Sequence, residues 1–186
     1  DYAALAREGY ERNPVVHRCV RLIAEAAAQT PLVAKVGGRE TPDHPALLLV
    51  ERPNPRQGGI AFREMLYGHL LVAGNAYVEA AGVGHEPREL FALRPDRMRV
   101  VPGRDGWAEA YDYTVDGQTM RFRQDEGMPS ILHLTLFHPV DDHYGLSPIE
   151  AAACSLDIHN AAGSWHKALL DNAARPSGAL VYDGPD

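Results

Sequence analysis

The sequence lacks the features that mark membrane-spanning and DNA-gripping proteins. It contains no apolar run long enough to cross a bilayer as a helix. Its 18 lysines and arginines are outnumbered by 25 aspartates and glutamates, which gives a formal net charge of −7. Tight DNA binding requires clustered positive charge beside the phosphates. The charge balance therefore disfavours a protein that holds DNA firmly, while a surface that DNA slides past remains open.

Cysteine is scarce. The chain has only Cys19 and Cys154, which lie far apart and each fall within a helical pattern. Such sparse use fits a reducing compartment better than a disulfide framework. We expect two buried thiols, with a disulfide or a redox pair as the alternative.

Motifs that carry chemistry are also missing. There is no G-x-x-x-x-G-K-[ST] loop to cradle phosphates, and no serine lies in a G-x-S-x-G elbow. The Gly82-Val83-Gly84 turn lacks the third glycine and the following helix that dinucleotide binding requires. The sequence therefore predicts no catalytic residue, no cofactor and no metal.

The densest polar cluster contains His133, His138, Asp141, Asp142 and His143. Imidazoles and carboxylates can bind zinc or iron, so a metal-dependent hydrolase is an alternative. The spacing, however, fits no metal template, and residues 141–145 also fit a polar turn that leads into a capped helix. We predict the turn, with His133 as a half-buried residue of a strand.

Two helix starts are clearly marked. Asn13 is a favourable N-cap and Pro14 follows at the first helical position. Ser147, Pro148 and Glu150 repeat this arrangement, with Glu150 expected to complete a capping box. We assign these five residues a structural capping role.

Apolar periodicity predicts three longer helices and several short strands. The longer helices begin at residues 14, 60 and 147, and a short one covers residues 45–50. The predicted strands cover residues 32–36, 76–80, 89–93, 98–101, 111–115, 120–123, 131–134 and 178–182. Because β-α-β alternation is absent, we predict the α+β class, with a mixed, mainly antiparallel sheet packed against three longer helices.

The first long helix has a broad apolar surface, so we expect it to be largely buried. Two neighbouring stripes form this surface: Val16, Val20, Ile23 and Ala27, and beside them Val15, Cys19, Leu22 and Ala26.

Several landmarks, in order along almost the whole chain, resemble the portal proteins of the HK97-type phage family. They include residues 13–20 (NPVVHRCV), 52–55 (RPNP), 70–77 (LLVAGNAY), 93–95 (LRP), 131–134 (ILHL) and 145–149 (GLSPI). The same segments are also similar to those of portal proteins from gene transfer agents, the phage-like particles of alphaproteobacteria. The particle that contains this protein can be either a true phage or a gene transfer agent.

The resemblance implies a structural subunit, not an enzyme. Portals form a ring, normally dodecameric, at one capsid vertex as the head–tail connector, and double-stranded DNA passes through it without sequence specificity. The implied partners are the large terminase, the major capsid protein and the head–tail adaptor. The implied location is the virion or phage-like particle, assembled in the bacterial host cytoplasm. Residues 1–186 would form the N-terminal wing-like region, with the stem, the clip and the remaining C-terminal half lying outside this chain.

Ring subunits need broad faces that pair head to tail. The candidate interface residues are Arg94, Arg97 and Arg99 in one basic turn, together with Asp141, Asp142 and His143; the helix that begins at Ser147 is a further candidate. We hypothesise that the three arginines meet acidic side chains of a neighbouring subunit, with a solvated surface loop as the simpler alternative. Another head–tail adaptor ring protein and a host binding protein remain as alternatives.

Overall fold

The computed structural model describes residues 2–83, 86–124, 129–172, 181 and 184. The helices are α1 (Tyr2–Ala4), which continues as a π-helix (Leu5–Glu11), α2 (Pro14–Gln29), α3 (Pro45–Glu51), α4 (Gly59–Ala73), α5 (Pro148–Ala151) and α6 (Ala153–Asp171). The strands are β1 (Lys35–Val36), β2 (Arg39–Glu40), β3 (Asn75–Val83), β4 (Glu86–Leu93), β5 (Met98–Pro102), β6 (Ala108–Val115), β7 (Gln118–Arg123) and β8 (Ile131–Thr135).

The α+β class is confirmed, and every strand pair in the described part of the chain is antiparallel. The strands form two three-stranded sheets, in the orders β4-β3-β8 and β5-β6-β7, and a separate β1-β2 hairpin. The predicted single sheet is thus divided in two, because the short turn after Leu93 directs the chain from the first sheet into the second. The predicted strand over residues 178–182 falls outside the described range, except for Val181.

The first sheet is covered on both faces, which explains why β3 begins with four buried residues. Side chains alternate between the two faces of a strand. Tyr77 therefore packs with Met98 and Tyr111 of the second sheet. Its neighbour Val78 packs with Phe62 of α4 on the other face.

A third cluster joins the helices. Val16 and Val20 of α2 pack with Val72 of α4 and Ile149 of α5. The close approach of Ile149 depends on Gly9 in the π-helix, where an added Cβ would lie 2.8 Å from Ile149 Cγ2. The sequence did not indicate the helical segment before Asn13.

The prediction that α2 is largely buried is wrong. Only one stripe is covered, formed by Val16, Val20, Ala24 and Ala28. Cys19 is exposed, and so is Cys154 on α6, so the prediction of two buried thiols is wrong as well. The reason is that α2 contacts the π-helix and α4 on one side and nothing in the described chain covers its outer side.

The predicted strand over residues 32–36 is reduced to Lys35 and Val36. Its partner β2 is equally short, because Gly37 and Gly38, both with positive φ, turn the chain back at once. One further backbone bond, from Thr41 N to Ala34 O at 2.9 Å, extends this ladder.

The predicted helix from residue 147 is broken at Ala152, which separates α5 from α6. No glycine or proline marks the break. Packing accounts for the two directions: α5 buries Ile149 in the core, whereas α6 follows the π-helix and contains no buried residue.

Within the described residues, no helix combines the length and the apolar character needed to span a membrane.

Candidate functional site

The basic turn lies where β4 ends and the second sheet begins, with residues 95–97 forming a single 3-10 turn. The Arg94 guanidinium donates two hydrogen bonds to the Asp96 carboxylate, from Nε to Oδ1 at 3.0 Å and from Nη2 to Oδ2 at 2.7 Å. These bonds also raise the pKa of Arg94. Arg94 is therefore already paired within its own subunit.

The guanidinium groups of Arg97 and Arg99 are more available for contact with another subunit than that of Arg94. Arg97 is partly exposed and forms no ion pair with any described residue. Arg99 is exposed and lies opposite Asp112 in the β5-β6 ladder. Asp112 accepts hydrogen bonds from Arg121 at 2.6 and 2.8 Å, and Arg121, with a smaller contribution from Arg99, lowers the pKa of the Asp112 carboxyl. Because both Asp112 oxygens accept hydrogen bonds from Arg121, the Arg99 guanidinium forms no ion pair with any described residue.

Residues 141–144 form a turn held by its first carboxylate. Asp141 Oδ1 accepts hydrogen bonds from the backbone N–H of His143 at 2.8 Å and of Tyr144 at 2.9 Å. These bonds lower the pKa of the Asp141 carboxyl. Asp142 remains exposed beside it. The geometry is that of a capped polar turn.

The side chain of His133 lies away from this turn, in the packing between the two sheets. Its ring stacks on Tyr77 with a centroid separation of 4.2 Å. Its Nε2 lies 3.0 Å from Asn75 Oδ1, and its Nδ1 lies 3.4 Å from the Tyr111 hydroxyl. Burial lowers the pKa of His133 to about 4, with a further contribution from His143. The imidazole is thus neutral near pH 7.

The structure does not assemble the histidine and aspartate cluster into a metal centre. Among the residues it describes, no group of three or more histidine, cysteine, aspartate or glutamate side chains is placed to hold a metal ion. His138 Nδ1 instead lies 3.2 Å from the Val140 N–H, and both His133 nitrogens have partners within the sheets.

Two residues that the sequence did not single out connect the polar turn to the body. Asn75 Oδ1 accepts a hydrogen bond from Gly145 N at 2.9 Å. The Tyr144 hydroxyl accepts one from Val100 N at 2.9 Å. Because Val100 follows Arg99 directly, this second bond brings the polar turn alongside the basic turn. The only local signal was the Gly74-Asn75 pair that ends α4, and it did not reveal the distant partner.

The two predicted helix caps differ in detail. Asn13 Oδ1 accepts hydrogen bonds from Val15 N and Val16 N, both at 3.1 Å, and Pro14 occupies the first helical position. Ser147 Oγ accepts one from Ile149 N at 3.1 Å, with Pro148 next in the chain. Glu150 is exposed and makes no bond back to Ser147, so the expected capping box is not formed; Ser147 Oγ donates instead to Leu71 O.

With this geometry in place, comparison with known proteins identifies the family. A model described as phage portal protein matches residues 14–186. The chain belongs to the phage portal protein family. The family predicted from the landmarks is therefore confirmed at this level.

Two curated relatives of this portal-family chain come from Rickettsia, and both are described as uncharacterized proteins. The chain is 34% identical over 178 residues to the protein of Rickettsia bellii (strain RML369-C) and 35% identical over 178 residues to that of Rickettsia felis (strain ATCC VR-1525 / URRWXCal2). Each alignment covers 94% of this chain and 46% of the relative.

Solved structures of gene transfer agent particles contain similar chains. A chain in the neck of an empty particle, computed with C6 symmetry, is 53% identical with a TM-score of 0.90. A chain in the neck of a native particle, computed with C12 symmetry, is 51% identical with a TM-score of 0.86. Both comparisons cover 100% of this portal-family chain, which spans about half the length of the solved chains, at 50% and 49%.

Proposed function

We propose that this chain is part of the portal of a gene transfer agent or related phage-like particle. In this role it forms, with further copies of itself, a ring at one capsid vertex through which DNA is packaged and ejected. The observation that carries the proposal is the 53% identity, over the full length of this chain, to a chain in the neck of such a particle. The protein acts structurally and not as an enzyme.

The symmetry of the related neck structures supports a closed ring of identical subunits, and C12 symmetry fits a dodecamer. Residues 1–186 form the N-terminal wing-like region in this proposal. The large terminase, the major capsid protein and the head–tail adaptor are the proposed partners, and double-stranded DNA passes without sequence-specific contacts. The net charge of −7 suits a subunit that DNA must pass without being held.

Arg97 and Arg99 are proposed to contribute to the contact between subunits, with the turn at Asp141, Asp142 and His143 beside them. Support comes from their exposure and from the lack of a full ion pair for either arginine in the described chain. Arg94, paired with Asp96, contributes mainly by stiffening the turn.

The proposal is tested by imaging the full-length gene product by electron microscopy, together with mass measurement. We expect rings with a central hole and a mass that is a multiple of the subunit mass. Antibody labelling of purified particles should place the protein at a single capsid vertex. Monomers at high protein concentration, or labelling distributed over the whole capsid, would contradict the proposal.

A further inference from the structure

Two helices expose apolar stripes that nothing in the described chain covers. The α2 seam consists of Val15, Cys19, Leu22 and Ala26, all of them exposed. The α6 seam consists of Ile158, Ala162, Trp165 and Leu169, also all exposed. Trp165 keeps 63% of its surface accessible and Ile158 keeps 66%, which is unusual for side chains of this size.

The two seams share one spacing. Successive members are four, three and four residues apart in both helices. This is the spacing of the two apolar positions of a heptad, which bring side chains to one helix face and let them interlock with a second helix. Each seam therefore has the pattern of a helix that packs lengthwise on another helix.

Each seam also faces away from the described residues that pack against its helix. On α2 the buried stripe is Val16, Val20, Ala24 and Ala28, and the residues of the α2 seam lie on the opposite side of that helix. On α6 the inner side is marked by Asn160, whose Nδ2 donates to Glu8 O at 2.8 Å, and by Leu156, which packs beside Ile149. Helical spacing places Ile158 and Trp165 on the other side.

A second copy of the chain is the occupant that best fits these faces. A ring of identical subunits is built from heterologous contacts, in which each subunit offers two different surfaces that complement each other. The related neck chains are found in assemblies with C6 and C12 symmetry. The two seams are two such surfaces, one on α2 and one on α6.

We infer that the α6 seam of one subunit packs along the α2 seam of the next subunit in the ring. This inference rests on the proposed function, since it specifies how neighbouring subunits are joined. It makes the exposed apolar surface a contact of the assembly, which explains why Trp165 and Leu22 are exposed on these helices.

The test uses charge exchange in the full-length gene product. Leu22→Lys alone and Trp165→Glu alone should each reduce the fraction of subunits in rings by about tenfold or more, because a charge would be buried in an apolar contact. Leu22→Lys combined with Trp165→Glu should restore rings in part, and Leu22→Glu combined with Trp165→Glu should not. Leu170→Glu is the matched control, because Leu170 is exposed on α6 but lies off the seam.

The outcomes distinguish a failure of the proposed function from a failure of the pairing of the seams. Wild-type protein that forms no rings contradicts the proposed function and not the pairing of the seams. Rings that persist in both single variants, or a double variant with opposite charges that gains nothing, overturn the pairing alone. Circular dichroism and the urea midpoint of each variant separate loss of assembly from loss of folding.

A second measurement needs no substitution that could disturb folding. Cys19 lies within the α2 seam, so its thiol should react with a maleimide in dissociated subunits and be protected in assembled rings. Cys19 that reacts equally in both states, or that is already protected in the dissociated subunit, would overturn the inference. The second case would mean that another part of the same polypeptide covers the α2 seam.

Discussion

The side chain of Asn75 holds the segment before α5 against the first sheet. It is 6% exposed, and its amide makes four polar contacts. The carboxamide oxygen faces Gly145 N and His133 Nε2, and the nitrogen donates to Ala73 O at 2.8 Å and Gly145 O at 3.3 Å. A buried amide with every group satisfied fixes one arrangement of the neighbouring chain.

Asn75→Ala should lower the free energy of unfolding by about 2–3 kcal/mol, because the buried Gly145 N–H loses its acceptor. Urea unfolding followed by circular dichroism measures the change. Gln118→Ala, at an exposed site on β7, is the control and should change stability by less than about 0.5 kcal/mol. Equal effects of the two substitutions would contradict the role assigned to Asn75.

The lowered pKa values of His133 and His69 predict that the protein loses stability in acid. Burial lowers the pKa of each to about 4, from an ordinary value of 6.5. Between these values the unfolded chain binds more protons than the folded chain, so stability should fall as the pH decreases from about 6.5 to about 4. Urea midpoints measured across this range should decrease steadily.

His133→Gln should make the free energy of unfolding depend less on pH. The loss of stability between pH 6.5 and pH 4 should shrink by on the order of 1 kcal/mol, after allowing for the partial exposure of the ring. His166→Gln, on the exposed surface of α6, should leave it unchanged. A slope that is the same in both variants and in the wild type would show that His133 is not the titrating group.

At the scale of elements, two backbone segments cross closely at Gly74 and Gly145. This crossing determines how α4, β3 and the segment before α5 pack together. Gly74 ends α4 with φ of 73°, and an added Cβ would overlap the carbonyl oxygen of Gly145. Leu136 N also donates to Gly74 O at 2.8 Å. Two glycines at the crossing allow the segments to approach more closely than side chains would permit.

Gly74→Ala should therefore destabilise the protein well beyond the cost of a left-handed backbone. Gly117→Ala is the matched control, because Gly117 has φ of 79° and no atom within 4 Å of an added Cβ. We expect about 1 kcal/mol for Gly117→Ala and about 3 kcal/mol or more for Gly74→Ala. Urea unfolding of the pair, compared with wild type, separates backbone strain from steric overlap.

At the scale of the whole molecule, the distribution of charge should matter for assembly. The subunit carries a net charge of −7, and its basic turn offers Arg97 and Arg99 without full ion pairs. A cationic turn on an acidic protein suits contact with the acidic surface of a neighbouring copy. Such contacts mainly affect the rate and the salt sensitivity of association.

Charge reversal at Arg94, Arg97 and Arg99 together should weaken ring formation, and the effect should be larger at low ionic strength than at high. Mass measurement across a range of salt concentrations checks this. Reversal of Arg104, an exposed arginine in the loop before β6, is the control. Unchanged assembly of the triple variant at every salt concentration would remove the basic turn from the interface.

The sequence by itself determined the marked helix starts, the short strands of the middle region and the family. Asn13-Pro14 and Ser147-Pro148 predicted two helix starts because capping depends on residues next to each other in the chain. The five short strands after residue 86 were predicted because alternation and turn residues are local signals as well. The order of the landmarks was enough to indicate a portal protein.

Only the tertiary structure decided which apolar faces are covered. Val16 and Leu22 lie on the same helix with similar apolar character, yet Val16 is buried and Leu22 is 52% exposed. The hydrogen bond from Gly145 N to Asn75 Oδ1 likewise depends on where segments that are distant in the sequence meet. The break at Ala152 reflects the different packing of α5 and α6. Burial is a property of packing between elements, so a helix with two apolar stripes does not by itself reveal which one faces its own core and which one faces outward.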